Sequence, residues 1–439
     1  MTTNIKNISI VKQKSSRDDL TMRVCMILIG LFLAIAILLP LYTMLSKSLE
    51  NKEGAFIGIS NYVEYFSTPS LFLSAYNSIL LSAIGTIILL LVTFIYAYAL
   101  TRTQMPFKWF FKIIAIIPLL TPSMLGGISL VYWFGNQGVA KGLLMGESIY
   151  GPIGIVMGSV YWVFPHALMI IITALSITDA RLYEAAVALR TSKIKTFFMV
   201  TIPSCKFGLI SAGFVVFILI FTDFGVPKVI GGMYNMLATD IYKQVIGQQN
   251  FQMGAVVAVV LLIPAIIAFS VDRFVQRKQV ALLSASAVPY EPKKSKGLDL
   301  TMLMFCSFIA FLIICMIGMA QYGALVKFWP YNLNLTLKNY NFEVAGLGWD
   351  SFYNSVRLAF YAAVFGTIII FVGSYLIEKL RINEGTRNAV QFFALMPMAV
   401  PGLVLGLAYI FFFNAKDNPL NFIYATMIIL VVNTIVHFY

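Results

Sequence analysis

The sequence predicts an all-α, polytopic membrane protein with about ten transmembrane helices. Three observations predict it. Of 439 residues, 60% are hydrophobic and only 11% charged; the mean hydropathy is +0.87; and ten apolar segments are long enough to cross roughly 30 Å of hydrocarbon as helices. A soluble domain cannot hide that much apolar surface. A spanning segment must satisfy its backbone internally, which selects helices over loose strands.

The first 23 residues are polar, and the apolar run that follows, 24–46, is too long for the core of a cleaved signal peptide, so it reads as a retained first helix. Further spans are predicted at 77–101, 113–135, 151–176, 207–227, 252–271, 301–321, 356–377, 389–413 and 419–438. With the N-terminus in the cytoplasm, segments 1–23, 102–112, 179–206, 272–298 and 378–387 hold 22 of the 31 Lys and Arg, and with Asp299 at the edge of the fourth the acids divide evenly. The whole net charge of +13 then lies on one side, a positive-inside distribution. That side suits anionic lipid headgroups, so membrane lipid is an expected partner. Nucleic acid is not, because no soluble basic domain is present. The four cysteines (Cys25, Cys205, Cys306, Cys315) have no close pairing and read as helix-packing residues. No metal-ligand spacing occurs, so no metal is expected.

Two related halves follow one another. Asn77-Ser78, PLLTP at Pro118–Pro122 and His166 in the first are matched by Asn354-Ser355, PMAVP at Pro397–Pro401 and His437 in the second. Three matches in order on corresponding apolar segments indicate duplication. The prolines are expected to kink their helices and free backbone carbonyls. Both histidines are placed near cytoplasmic helix ends as packing or interfacial residues, and the two asparagines as caps or helix cross-links. The organisation is then 1–70 (N-terminal tail, first helix and outer loop), 71–275 (first membrane domain), 276–298 (cytoplasmic linker), 299–350 (an additional helix and outer loop) and 351–439 (second membrane domain). Glu184 lies 18 residues after His166, and the same step from His437 passes Tyr439. The second half is therefore expected to be truncated before its own counterpart of the loop described next.

From Asp179 to Arg190 the chain reads DARLYEAAVALR. Leu182, Ala185, Ala186 and Leu189 share a helical face. Thr178 or Asp179 is positioned to cap the N-terminus, and Arg181 can pair with Glu184 three residues on. A short helix with small apolar residues and a charged rim suits docking into a partner's groove. Physics alone leaves an amphipathic connector resting on the membrane equally open.

The segment resembles the Glu-Ala-Ala (EAA) motif of permease subunits in binding-protein-dependent, type I ABC importers. Glu184, Ala185, Ala186 and Ile202-Pro203 match it, while Arg190 stands at the motif's glycine position and puts the turn between two short helices in question. The resemblance covers essentially the whole chain and includes the duplicated architecture of the ferric-iron and 2-aminoethylphosphonate permeases. It implies a tandem type I ABC importer permease repeat in the bacterial inner membrane, the second repeat incomplete. Glu184, Ala185, Ala186, Leu189, Arg190 and Pro203 would contact a cytoplasmic ABC ATPase dimer, and a periplasmic solute-binding protein would deliver the solute. No Gly-Lys dipeptide occurs, hence no Walker A phosphate loop. The chain is expected to be a pore subunit rather than an enzyme, without a cofactor of its own; ATP and Mg belong to the partner ATPase.

Several stretches (ALRTSKIKTF, FTDFGVPKVIGG, ATDIYKQVIGQQNF and VQRKQVALLSASAVPY) resemble the 2-aminoethylphosphonate permeases in particular, with ferric iron as the alternative cargo. Thr222, Asp223 and Lys228 are the pathway candidates, since Asp223 and Lys228 could pair with the amine and phosphonate of a zwitterion. The opposing reading makes Asp223 and Lys228 a solvated helix-end pair. An ion-coupled secondary transporter would want acids near the bilayer midplane, but most acids fall in loops. An intramembrane hydrolase lacks GxSxG, HExxH or paired aspartates.

Overall fold

The computed structural model describes residues 17–282, 288–345, 348–379 and 384–439. The tail 1–16 with Lys6, Lys12 and Lys14, linker residues 283–287, and residues 380–383 with Arg381 lie outside the described residues. Sixteen helices follow in order: α1 (Leu20–Ser48), α2 (Ser60–Ser67), α3 (Pro69–Arg102), α4 (Lys108–Leu120), α5 (Ser123–Phe134), α6 (Pro152–Ser176), α7 (Ala180–Ala188) and α8 (Lys193–Thr222). Next come α9 (Gly225–Ile230), α10 (Leu237–Tyr242), α11 (Phe251–Leu282), α12 (Lys296–Leu325), α13 (Asp350–Lys379), α14 (Glu384–Ala399), α15 (Gly402–Phe413) and α16 (Met427–His437). A small antiparallel hairpin, β1 (Val326–Phe328) with β2 (Asn332–Leu335), follows α12.

Seven of these helices are long and apolar enough to span a membrane, or nine when two bent pairs count as spans. The difference from ten is physical. The predicted span 113–135 is two helices, α4 and α5, meeting at 101°, and 389–413 is likewise α14 and α15 at 109°. In the first pair Thr121, ahead of Pro122, takes φ −108°, ψ 144°. A residue before proline is driven out of the helical region, so the helix stops at Leu120 and restarts at Ser123. The prolines break these helices where a kink was expected. The predicted span 207–227 also ends early, at Thr222, and only Met427–His437 of 419–438 is a helix apart from a short 3-10 turn. Conversely α11 runs on to Leu282, so the linker expected from 276 begins later. Two other prolines are absorbed: a π-helical turn precedes Pro40 (Ala34–Leu38) and another precedes Pro203 (Phe197–Thr201). Widening the turn accommodates the missing proline N–H without ending the helix.

Two compact units result. One comprises 44–351 with 399–407. Its core gathers Leu89, Tyr96, Phe111, Phe164, Leu168 and Val216, and α12 contributes Cys306, Ala310 and Ile313. At the predicted outer end Asn77 Nδ2 donates to the Asn235 carbonyl at 3.1 Å and Ser78 Oγ accepts from Leu237 N at 2.8 Å, so α3 is cross-linked to α10. His166 sits within α6 rather than at its end. Cys205 and Cys306 are buried, and all four cysteines are free thiols.

The other unit comprises the remaining residues of the two ends, up to 43 and 352–398 with 408–439. Between α13 and α16 it holds a cavity of about 740 Å³ lined by Ala359, Ala362, Ala363, Gly366, Ile435 and Phe438, among others. Aligning Asn354 with Asn77 matches the four small residues to Ser82, Gly85, Thr86 and Leu89 of α3. On α3 that face is occupied by α8: a Cβ on Gly85 would come 2.9 Å from Ile220 Cδ1.

Candidate functional site

The loop between α6 and α8 folds for local reasons. Asp179 is extended (φ −70°, ψ 124°) and its side chain accepts the Arg181 N–H at 3.0 Å, capping α7. The Arg181 guanidinium turns back onto the same carboxylate, Nη2 to Oδ2 at 2.7 Å. Arg181, expected to pair with Glu184, is thus committed first to the cap. These bonds from the Arg181 side chain, then its backbone, hold the Asp179 carboxyl down to about 2.

The glycine question is resolved at the other end of α7. Arg190 adopts φ 51°, the left-handed region. Its N–H bonds to the Val187 carbonyl at 2.9 Å and the Thr191 N–H to the Ala186 carbonyl at 3.0 Å. This pair of bonds is a Schellman ending, which glycine usually closes. Thr191 Oγ1 adds a third bond, to the Ala186 carbonyl at 2.7 Å. The turn expected from the motif is therefore present despite the arginine. Ser192 then caps α8, accepting from Lys195 N at 3.3 Å. Pro203 is exposed inside α8, just beyond the π turn.

The predicted docking face divides. Ala186 is 6% exposed and packs inward, whereas Leu182, Leu189 (78%), Glu184 and Ala185 face outward. Val187 (65%) and Ile194 join them, rimmed by the exposed Arg190, Lys193 and Lys195. Burial of one alanine anchors the helix while its larger apolar side chains stay free.

What holds α7 in place was not legible. Arg102, the last residue of α3, is 6% exposed. Its Nη2 donates to the Leu175 carbonyl at 2.6 Å and its Nε to Tyr183 Oη at 3.3 Å. Tyr183 Oη in turn donates to Thr201 Oγ1 at 3.0 Å. The guanidinium carbon lies 4.8 Å from the Tyr290 ring centroid and 5.5 Å from that of Tyr183. No ion pair of Arg102 occurs among the described residues, so carbonyl, phenol and ring faces replace its hydration. Tyr290 belongs to the linker, whose Val288 carbonyl accepts the Ala180 N–H at 2.9 Å, and Asp179 and Pro289 form an isolated β-bridge. Burial pushes the Tyr290 hydroxyl upward. A lone arginine ending an apolar helix was the available signal.

At the end of α8 the three pathway candidates are already engaged. Thr222 Oγ1 donates to the Ile218 carbonyl at 2.8 Å. Asp223, 8% exposed, accepts Gly225 N on Oδ1 at 3.1 Å and Val226 N on Oδ2 at 3.0 Å. Lys228 Nζ lies 4.1 Å above the Tyr242 ring. Asp223 and Lys228 form no ion pair with each other. Asp223 ties the break after α8 to the start of α9, and α9 lies so close to α5 that a Cβ on Gly225 would collide with Ser123 Oγ. The expected pairing of Asp223 with a solute amine thus meets a carboxylate with both oxygens bonded to the backbone.

Comparison with known proteins follows the same geography. A protein of Haemophilus influenzae described as a ferric transport system permease is 26% identical over 99% of this chain and 70% of its own length. The ferric transport system permease protein of Actinobacillus pleuropneumoniae is 26% identical over 85% of this chain and 55% of its own. A spermidine/putrescine transport system permease of H. influenzae is 25% identical over 52% of the chain and 84% of its own length. Residues 99–280, from the end of α3 through α7 to α11, match the family described as the inner membrane component of binding-protein-dependent transport systems.

Proposed function

We propose that the chain is the inner-membrane permease of an ATP-driven importer and that α7 is its docking element for a cytoplasmic ABC ATPase dimer. The observation that carries this reading is α7 itself, inside the matched segment. It is capped at both ends and anchored through Ala186 and Tyr183, with Leu182, Val187 and Leu189 left facing outward within a basic rim. Closure of the ATPase pair around ATP would push on α7 and α8, and the membrane helices would open to a solute handed over by a periplasmic binding protein. Glu184, Ala185, Leu189 and Arg190 form the contact, with the buried Ala186 anchoring α7 behind them; the π turn ahead of Pro203 lets α8 continue from the loop into the membrane. The N-terminus and this loop share the cytoplasmic side.

For the cargo, ferric iron has better support than 2-aminoethylphosphonate, because two relatives that align with most of the chain are described as ferric transport permeases. An ion-coupled secondary transporter has no such support. Two measurements test the reading. Glu184→Arg reverses charge in the docking loop and should abolish co-purification of the ATPase while membrane insertion persists; unchanged co-purification and uptake would refute the docking assignment. Cells bearing the intact system should take up labelled ferric iron and not labelled 2-aminoethylphosphonate, and the reverse would restore the phosphonate reading.

A further inference from the structure

Residues 288–299 do more than join two halves in sequence. At one end the Val288 carbonyl and the Asp179–Pro289 bridge bind the first turn of α7, and Tyr290 packs against Tyr183, centroids 4.4 Å apart with the ring planes tilted by 47°, beside the Arg102 guanidinium. In the middle Gln104 Nε2 donates to the Pro292 carbonyl at 2.7 Å. At the other end Asp299 in the first turn of α12 accepts Gln104 N at 2.9 Å on one oxygen and Ser295 N at 3.0 Å on the other. α12 then packs on α3, α4 and α5. The eight residues Val288–Ser295 are thus bonded at both ends and in the middle.

We propose that Val288–Ser295 is a strap that transmits displacement of α7 to α12, seated by Arg102 and Tyr290 as positioning residues. The proposal rests on α7 being the ATPase-docking element. Arg102 suits the task because its planar fork serves a carbonyl and a phenol while both aromatic faces cover it, which an ammonium cannot reproduce. The strap gives the docking element a direct hold on the helix that opens the second half of the sequence, without passing through the hydrophobic core.

The test perturbs one end and reads the other. Ala180→Pro removes the N–H that binds Val288 at a first-turn position where proline suits a helix. Hydrogen exchange on the chain alone, in nanodiscs, should show protection of residues 297–301 in α12 falling about tenfold; Tyr290→Ala should do the same, and Tyr290→Phe should keep wild-type protection. Unchanged protection in both Ala180→Pro and Tyr290→Ala overturns the strap. In the complex reconstituted with ATPase and binding protein, Tyr290→Ala should retain the ATPase and its basal hydrolysis but lose at least fivefold in solute moved per ATP, with Tyr290→Phe rescuing it. An unaltered ratio also overturns the strap. If the wild-type chain holds no ATPase, the functional reading fails instead, and the exchange measurement still decides whether α12 responds to α7.

Discussion

An arginine held at φ 51° crowds its Cβ against the backbone, at about 1–2 kcal/mol for an ordinary residue. Arg190→Gly keeps the Schellman bonds and relieves that crowding, so amides at 187–191 should gain roughly fivefold in exchange protection for about 1 kcal/mol; a loss of protection would show that the guanidinium itself holds the turn. Asp179 sets a pH limit on the opposite end. Its carboxyl titrates near 2 when folded, below the ordinary value of 3.8. A depressed carboxyl contributes stability that is complete above the unfolded value and lost as pH falls through the folded one. The first turn of α7 should therefore fray between about pH 4 and pH 2, readable as exchange at Arg181 and Leu182, and Asp179→Asn should flatten that dependence. The cap was legible because Asp before a helical run has few other uses. The Arg102 clamp was not, since its partners Leu175, Tyr183 and Tyr290 are scattered along the sequence and meet only in the folded chain.

The elements divide by whether their endings are local. Prolines at 118, 122, 397 and 401 announced a disturbance in two apolar runs, but hydropathy alone cannot separate a kinked span from two helices meeting near a right angle. The decisive clue was the residue before Pro122, forced extended. The end of α8 is a tertiary matter: Asp223 caps α9, and Gly225 permits the approach of α9 to α5. Gly225→Ala should cost about 1–3 kcal/mol through overpacking against Ser123 and Met124, seen as a lowered Tm in detergent with helix content unchanged. A wild-type Tm would mean that the α5–α9 contact is looser than the geometry shows.

At the level of the whole chain, composition disclosed the membrane class, and the charge asymmetry supplied an orientation still to be measured. A cysteine at 184 in a background lacking the four native thiols should resist an impermeant maleimide added to intact cells and react in inverted vesicles. Labelling from outside would reverse the assigned topology and remove α7 from reach of any cytoplasmic motor. The Asn and Pro landmarks pointed to two corresponding runs, yet the packing of α12 on α3, α4 and α5 was not legible, because periodicity says which face is apolar and nothing about which neighbour covers it. The engagement of Asp223 has an outcome for anyone evolving this protein under the proposed function. A library screened for altered cargo should recover no winners at position 223, because substitutions there unmake the junction during biogenesis, and such clones vanish from the membrane before selection on uptake can rank them.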